Sequence, residues 1–271
     1  MQLAARLGRY TGNQTYIDWA ETAWNWFETS VLYDPATSQI YDGTSDVTNC
    51  TTADHIQWTY NYGFYIAALS YMYNHTEDAK WLTPLNSIMT QTFETFAPAS
   101  NNKIMIEVAC ERLGNCDSDN FCFKGFLLRW LAVATQLVPS TAATIQPYLV
   151  ANGQGAAGQC DGGTDGMTCG FEWNTTVWDG LYGVGEQMSA LSAVGANMIA
   201  LKDLYAPLTA NTGGNSTSDP SAGTGNPNAR PDLPSIATRP ITTSDKAGAA
   251  IVTILVVCFF VGGAAWMLFF D

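Results

Sequence analysis

The feature that most constrains this chain is its C-terminus, where an uncharged and mostly apolar run extends from Ala247 to Phe270. The run is long enough to cross a bilayer, which takes roughly 20 apolar residues. A single-pass anchor usually carries basic residues on its cytoplasmic side, but here Lys246 precedes the run and Asp271 follows it. This order is typical of a glycosylphosphatidylinositol (GPI) attachment signal, and Ser235 leaves a spacer of the usual length. A retained transmembrane helix is the alternative.

Two further segments precede this run. Residues 206–246 consist mainly of Ser, Thr, Gly, Asn, Asp and Pro, a composition that predicts a disordered linker. Residues 1–205 are rich in aromatic and aliphatic side chains, enough to bury a sizeable core. We therefore expect one folded domain, a linker, and a hydrophobic C-terminal helix that ties the domain to a membrane.

The charge balance restricts the partners of the folded domain. The chain carries 24 acidic and 11 basic residues, a formal net charge of −13, and no basic patch, which excludes nucleic acid as a partner. Only 13% of the residues are charged while 12% are aromatic. A neutral polymer such as carbohydrate is therefore the expected partner. The alternative is that most of the aromatic residues simply pack the core.

Glycosylation signals indicate an extracytoplasmic domain. Asn-x-Ser/Thr sequons predict N-glycosylation at five positions: Asn13, Asn49, Asn74, Asn174 and Asn215. The first residues, MQLAARLGRYTGN, contain no apolar run that could serve as a signal peptide. For a secreted domain, this leads us to expect that the natural chain begins further upstream.

The cysteines agree with an oxidising compartment. Short loops favour the disulfides Cys110–Cys116 and Cys160–Cys169, although spacing does not prove connectivity. The partner of Cys50 stays open. A zinc site is the competing interpretation, but the chain has no Cys-x-x-Cys and its two histidines are isolated, so no metal is predicted.

The folded segment is predicted to be helical. Aromatic and apolar residues recur at helical spacing from Tyr16 to Phe27, after a capping pattern that begins at Thr15. Further helices are predicted at 59–73, 80–96, 121–137, 141–150 and 184–204. Strand-like alternation is scarce. A weak echo between residues 11–17 and 76–82 adds a sign of repeated helical hairpins, so the predicted class is all-α.

Four sequence blocks lie at or near the predicted helix starts. They are WTYN from Trp58, CDSDN leading into FKGFLLRW from Cys116, CGFEW from Cys169, and GVGEQMSAL from Gly183. In this order they resemble the C-terminal half of glycoside hydrolase family 76, and QLAARLGRYTGN adds a further match. The resemblance covers nearly all of residues 1–205. It implies an (α/α)6 toroid of helical hairpins and an endo-α-1,6-mannosidase, as in fungal members held at the cell surface.

The resemblance is incomplete where catalysis is concerned. The family uses two consecutive aspartates, and this sequence contains no Asp-Asp pair. Retaining hydrolysis requires one carboxylate as nucleophile and another as acid/base, and the adjacent Glu77 and Asp78 read as a connector. No catalytic residue is therefore assigned, the toroid is expected to be incomplete, and this chain alone is expected to be inactive. Tyr62, Asn120 and Cys122 also depart from the family pattern, and Cys122 is predicted to be a free thiol.

The same blocks supply the candidate substrate-binding residues. These are Trp58, Tyr60, Asn61, Asp119, Trp173 and Glu186. Aromatic rings stack on sugar faces, and amide or carboxylate groups bond to sugar hydroxyls. Each residue also has a structural interpretation: burial of the rings, an ion pair of Asp119 with Lys124 or Arg129, and a helix-start position for Glu186.

The leading hypothesis is hydrolysis of α-1,6-mannosidic linkages in cell-wall or glycoprotein mannan, without a cofactor, on the luminal or extracellular side of a membrane. A cell-wall transglycosidase is one alternative. A non-catalytic mannan-binding surface protein is another. A third is a misassembled gene product, since half a toroid leaves apolar helix faces uncovered.

Overall fold

The computed structural model describes residues 1–199 and 242–269, apart from the side chains of residues 245 and 261–269. The chain divides into two compact units, Met1–Gly213 and Gly214–Asp271. Most of the predicted linker lies outside the described residues, and so does the sequon at Asn215.

The secondary structure of the first unit is nearly all helical, which confirms the all-α prediction. The helices are α1 (Gln2–Thr11), α2 (Gln14–Glu28), α3 (Thr59–Thr76), α4 (Leu82–Phe96), α5 (Phe123–Leu137), α6 (Ala142–Gly158) and α7 (Val184–Ala196). A small antiparallel hairpin pairs β1 (Tyr33–Asp34) with β2 (Gln39–Ile40).

The helices are arranged in two rows. The odd-numbered helices pack on one another in chain order, α1 on α3, α3 on α5 and α5 on α7. Each even-numbered helix packs on odd-numbered neighbours: α2 against α1, α4 against α3, and α6 against both α5 and α7. This repeated hairpin arrangement is the one that the family resemblance predicts. We call the odd-numbered helices the inner helices.

The starts of three inner helices lie together. The ring of Trp58, just before α3, packs edge-on against the ring of Phe123 at the start of α5, with centroids 5.5 Å apart. A Cβ added to Gly185, at the start of α7, would lie only 2.8 Å from the Cβ of Phe121. We call this region the amino end of the inner helices.

The other ends of the inner helices also meet. The Nε of Arg9 in α1 donates to the Oδ1 of Asn74 in α3 over 2.6 Å. The Nδ2 of Asn74 in turn donates to the carbonyl oxygen of Leu137, the last residue of α5, over 2.8 Å. We call this region the carboxyl end.

Close contact between the inner helices depends on glycine at two positions. A Cβ on Gly63 of α3 would lie 2.6 Å from the ring of Trp130 and 2.9 Å from the Cα of Leu127. A Cβ on Gly125 of α5 would lie 2.8 Å from the Cα of Ser189 in α7. Any larger residue at either position would push neighbouring backbones apart, because protein interiors are close-packed.

Several helix boundaries differ from the sequence prediction, and α1 was not predicted as a helix. The N-cap of α2 is Asn13 rather than Thr15, because the Oδ1 of Asn13 accepts from the backbone N–H of Thr15 over 3.0 Å. Gly12 ends α1 in the left-handed conformation, with φ at 69°, so residues 2–11 form a helix of their own. Helix α6 runs to Gly158 and accommodates Pro147 within it.

In the second unit the structure describes α8, Thr243–Phe269. The side chains between Ile251 and Phe260 are exposed within this unit. Among the described residues, no helix combines the length and the apolar character needed to cross a membrane.

Candidate functional site

The predicted residues of the WTYN block gather around an aspartate that sequence reasoning missed. One carboxylate oxygen of Asp42, in the loop after β2, accepts from the hydroxyl of Tyr60 and from the Nδ2 of Asn61, each over 2.8 Å. The ring of Tyr60 packs on Phe123, with centroids 4.5 Å apart, beside Trp58. We call these five residues the Asp42 cluster.

The Asp42 cluster is polar, aromatic and half-exposed. Burial, followed by the hydrogen bond and charge of Asp42, raises the pKa of Tyr60 to about 12. The phenol therefore stays protonated at neutral pH and donates its hydrogen to the carboxylate. An oriented amide beside aromatic rings is the combination that carbohydrate recognition requires, because rings cover the C–H faces of a sugar while amides bond to its hydroxyls.

A buried glutamate caps α3 from another part of the chain. The N-cap residue Trp58 offers no side-chain hydrogen bond. Instead, one oxygen of Glu107 accepts from the backbone N–H of Thr59 over 3.2 Å, and the other meets the hydroxyl of Thr59. Negative or polar oxygen at a helix start satisfies its free N–H groups. Burial raises the pKa of Glu107 to about 8, against the opposing effect of the bonds from Thr59.

The start of α5 contributes a buried cation. The Nζ of Lys124 lies 3.0 Å from a carboxylate oxygen of Glu111 and 2.6 Å from the carbonyl oxygen of Phe171. It also lies over the ring of Phe171, 3.8 Å from the centroid, and over that of Trp173 at 4.3 Å. We call Glu107, Glu111 and Lys124 the buried ion network. It fixes the loops at the amino end relative to the helices.

Both predicted disulfides are present in these loops. Cys110–Cys116 closes the loop that carries Glu111, and Cys160–Cys169 closes the loop that leads to Phe171. Cys122 is a free cysteine, as predicted. The disulfides therefore hold the two loops that supply the partners of Lys124.

An open cleft lies beside the buried ion network. A cavity of about 180 Å³ is lined by Glu111, Gly114, Cys116, Phe121, Phe171, Glu172, Asp179 and Leu181. A neighbouring one of about 220 Å³ shares Glu111 and Glu172 and adds Arg112 and Asn174. Burial, followed by the charges of Glu111 and Asp179, raises the pKa of Glu172. Glu172 lies in the CGFEW block, but neither it nor Glu111 nor Asp179 was predicted to bind substrate.

Two of the predicted sugar-binding residues are instead structural. Trp173 is only 1% exposed. One face of its ring covers Lys124, and its Nε1 donates to the carbonyl oxygen of Gly170 over 3.3 Å, so no face is free to stack on a sugar. Glu186 is 4% exposed and lies in the first turn of α7, where an acid is stabilised by the helix dipole.

Asp119 is exposed at the amino end, but it forms neither of the predicted ion pairs. Lys124 is paired with Glu111, and the Nε of Arg129 donates to the hydroxyl of Ser192 over 2.8 Å. The backbone carbonyl of Asp119 accepts from the thiol of Cys122. The carboxylate of Asp119 remains a candidate sugar ligand at the amino end of the inner helices.

The adjacent carboxylates Glu77 and Asp78 lie at the carboxyl end, far from this site. Glu77 is the C-cap of α3, and the 18 residues of that helix span about 27 Å at 1.5 Å per residue. Within residues 1–199 and 242–269, no group of three or more His, Cys, Asp or Glu side chains could hold a metal ion.

Comparison with known proteins identifies a family for this chain. The sequence profile of glycosyl hydrolase family 76 matches residues 1–211. The chain is 39% identical over 270 residues to the mannan endo-1,6-alpha-mannosidase DCW1 of Candida albicans, covering 98% of this chain and 58% of that protein. It is 42% identical over 268 residues to DCW1 of Saccharomyces cerevisiae, covering 98% and 57%. The chain thus spans a little over half the length of these relatives.

Solved structures agree with the helical arrangement. Dfg5 from Chaetomium thermophilum, crystallised in complex with glucosamine, matches with a TM-score of 0.72 at 34% identity, over 82% of this chain and 56% of that chain. The α-mannanase BT2949 of Bacteroides thetaiotaomicron matches with a TM-score of 0.60 at 15% identity, over 75% and 51%. The second likeness concerns the fold alone. The prediction of an (α/α)6-type helical toroid is confirmed.

Proposed function

Because the chain belongs to glycosyl hydrolase family 76, we propose that it acts in the hydrolysis of α-1,6-mannosidic linkages in cell-wall or glycoprotein mannan. Two of its relatives are named mannan endo-1,6-alpha-mannosidases, which supports mannan as the substrate. The chain covers 57–58% of the length of those relatives. The activity of a whole relative is therefore a proposal for this chain.

The observation that carries this proposal is the Asp42 cluster. Its carboxylate holds the amide of Asn61 and the phenol of Tyr60 in fixed orientations. Pre-oriented polar groups bind a sugar without the entropy cost of ordering them on binding. The half-buried ring of Trp58 lies beside them and offers an apolar surface. These residues support a mannan-binding surface at the amino end of the inner helices.

The chemistry assigns binding, rather than bond cleavage, to the residues of this chain. Hydrolysis with retention needs two carboxylates about 5–5.5 Å apart, one to attack the anomeric carbon and one to protonate the leaving oxygen. The sequence has no consecutive aspartates, and the adjacent Glu77 and Asp78 lie at the opposite end of α3. A non-catalytic mannan-binding protein is therefore the second candidate function.

Calorimetric titration of the purified full chain with α-1,6-linked mannan, followed by a reducing-sugar assay of the same mixtures, tests both functions. We expect saturable binding without release of reducing sugar. Asn61→Ala should weaken binding at least fivefold, about 1 kcal/mol, because it removes a sugar-facing amide. The matched control is Asn25→Ala, which removes an exposed amide from α2. Release of reducing sugar would show that catalysis resides in this chain, and absence of binding would refute the mannan surface.

We further propose that the domain lies outside the cytoplasm, is N-glycosylated, and is attached to a membrane after the linker 206–246, either by residues 247–270 as a retained helix or by a GPI anchor that replaces them. Two disulfides and five sequons support the compartment. Cells expressing the full chain behind a cleavable secretion leader can be fractionated and treated with phosphatidylinositol-specific phospholipase C. Release by the enzyme indicates a GPI anchor, whereas retention after carbonate washing indicates a transmembrane helix. Recovery without membranes contradicts the attachment.

A further inference from the structure

The four sequons in the described part of the chain differ in the environment of their acceptor amides. Asn74 is half-buried in the last turn of α3. Its Oδ1 accepts from Arg9 of α1 over 2.6 Å, and its Nδ2 donates to the carbonyl oxygen of Leu137 over 2.8 Å. That carbonyl belongs to the last turn of α5, where it has no partner within its own helix. One amide thus links three inner helices.

The other three acceptors are exposed. Asn13 uses only its Oδ1, which caps α2 by accepting from Thr15. A glycan is attached through Nδ2, so the cap and the modification are compatible. Asn49 lies in the loop after a 3-10 turn, and Asn174 lies at the rim of the open cleft. Among the described residues, no hydrogen bond involves the side-chain amide of either one.

We propose that Asn13, Asn49 and Asn174 are the N-glycan acceptors of this domain, and that Asn74 is an unmodified structural residue despite its complete sequon. The inference rests on the proposed extracytoplasmic location. An N-linked glycan is bulky and lies at the protein surface. Attached to the Nδ2 of Asn74, it would enter the contact between α3 and α5 and displace the carbonyl of Leu137.

This arrangement also explains why Asn74 is polar although it lies between packed helices. A half-buried amide with both ends satisfied stabilises the fold, whereas leaving its partners unsatisfied carries the full desolvation cost. The chain therefore gains more from the free amide than from a glycan at this position. The three exposed acceptors carry no such structural contact through Nδ2.

Site occupancy provides the first test. The full chain, preceded by a cleavable secretion leader, is produced in yeast and treated with peptide-N-glycosidase, which converts each glycosylated Asn to Asp. Peptide mass spectrometry then reports every site. We expect conversion at Asn13, Asn49 and Asn174 in most of the secreted, folded molecules. Conversion at Asn74 should be at least about tenfold lower, because a chain modified there cannot form the contact with Leu137. Comparable conversion at all four sites would overturn the inference.

Stability provides the second test. Asn74→Ala should lower the midpoint of thermal unfolding by about 4–8 °C, because two partly buried hydrogen bonds are lost. Thr76→Ala destroys the same sequon without touching the amide and removes only the bonds of the Thr76 hydroxyl to Met72 and Asp78, so it should lower the midpoint less than Asn74→Ala does. Asn174→Ala removes an exposed amide and should leave the midpoint nearly unchanged. An unchanged midpoint for Asn74→Ala contradicts its structural role. Absence of glycans at all four sites would refute the assignment of the three acceptors, whereas modification of Asn74 beside the others refutes its structural exemption; neither result bears on the proposed location, because the added leader supplies the secretory route.

Discussion

The amino and carboxyl ends of the inner helices are built on different principles. At the carboxyl end the chain reverses within a few residues, through Gly12 after α1 and residues 77–81 after α3. The contact that joins the helices there is a neutral amide, Asn74. At the amino end, long loops precede α3, α5 and α7. They contain both disulfides, and together with the first turns of α3 and α5 they form the buried ion network and the Asp42 cluster.

The two ends differ in where the buried charged contacts of the fold lie. A buried charge stabilises nothing unless its partner and remaining hydrogen bonds are supplied. The amino end supplies them from four separate segments, and so the position of each loop depends on the others. Short turns need no such arrangement, because they only reverse the chain. Binding residues are commonly found on loops that a rigid scaffold positions, and the amino end meets that description.

Removing the buried cation should have the largest effect. Lys124→Met leaves Glu111 without its partner, and loss of one member of a buried pair costs about 3–5 kcal/mol in the free energy of unfolding. Urea denaturation of the full chain measures this value. The matched control is Lys80→Met, which breaks an exposed pair with Glu21 and should cost at most about 1 kcal/mol.

A second variant separates charge from packing at Lys124. In the double variant Lys124→Met with Glu111→Gln, no uncompensated carboxylate remains at position 111, so part of the lost stability should return. If the single variant costs no more than Lys80→Met, the contrast between the two ends is wrong. If the double variant is no more stable than the single one, the loss comes from packing on Phe171 and not from charge.

The cap supplied by Glu107 should make stability depend on pH. Burial raises its pKa from about 4.5 to about 8, so the folded state holds the proton more tightly than the unfolded state. The stabilisation that this carboxyl contributes is therefore complete below pH 4.5 and is lost as pH rises toward 8. Glu107→Gln removes that dependence while keeping an oxygen for Thr59.

Denaturant unfolding of both proteins between pH 5 and pH 8 checks this prediction. The free energy of unfolding of the natural chain should fall relative to that of the variant as pH increases. Asp34→Asn is a control at an exposed carboxylate of the hairpin. There the hydrogen bonds from Thr37 and Ala36 lower the pKa of Asp34. The stability that this carboxylate contributes is therefore lost at acid pH instead. Parallel profiles for the natural chain and Glu107→Gln would mean that Glu107 is not a titrating cap.

The sequence predicted much of the fold because helices leave a local pattern. The helical spacing around Tyr16–Phe27 and the apolar character of α3 and α5 gave element type and approximate bounds, and short loops gave both disulfides. The boundary at Asn13 was missed because Thr15 offers a similar capping signal, and the structure decides between them through one hydrogen bond.

The site was predicted less well because its contacts are long-range. Asp42 meets Asn61 from 19 positions away, and Glu107 meets Thr59 from 48 positions away. No local spacing connects such residues. The identity of Trp173 suggested a sugar platform, but residue type does not reveal burial, and the ring is covered by Lys124. The residues of the WTYN block lie close together because the block stands at the start of α3, and their role in sugar binding stays a prediction.

Changing Asp42 should have the smallest effect on stability of these variants. It tests whether the exposed part of the amino end serves binding rather than stability. Asp42→Asn removes the charge from half-exposed hydrogen bonds, and charge-assisted bonds are roughly twice as strong as neutral ones. We expect a change of at most about 1 kcal/mol in the free energy of unfolding and a several-fold loss of mannan affinity, because Asn61 and Tyr60 become less well ordered.

The pKa of Tyr60 should fall below about 12 and stay above its ordinary value, since burial remains the main cause of its increase. Ultraviolet titration against Tyr60→Phe assigns that group. Unaltered affinity with a lowered pKa would show that the cluster is structural, and would leave the amino end distinguished by its buried charges alone.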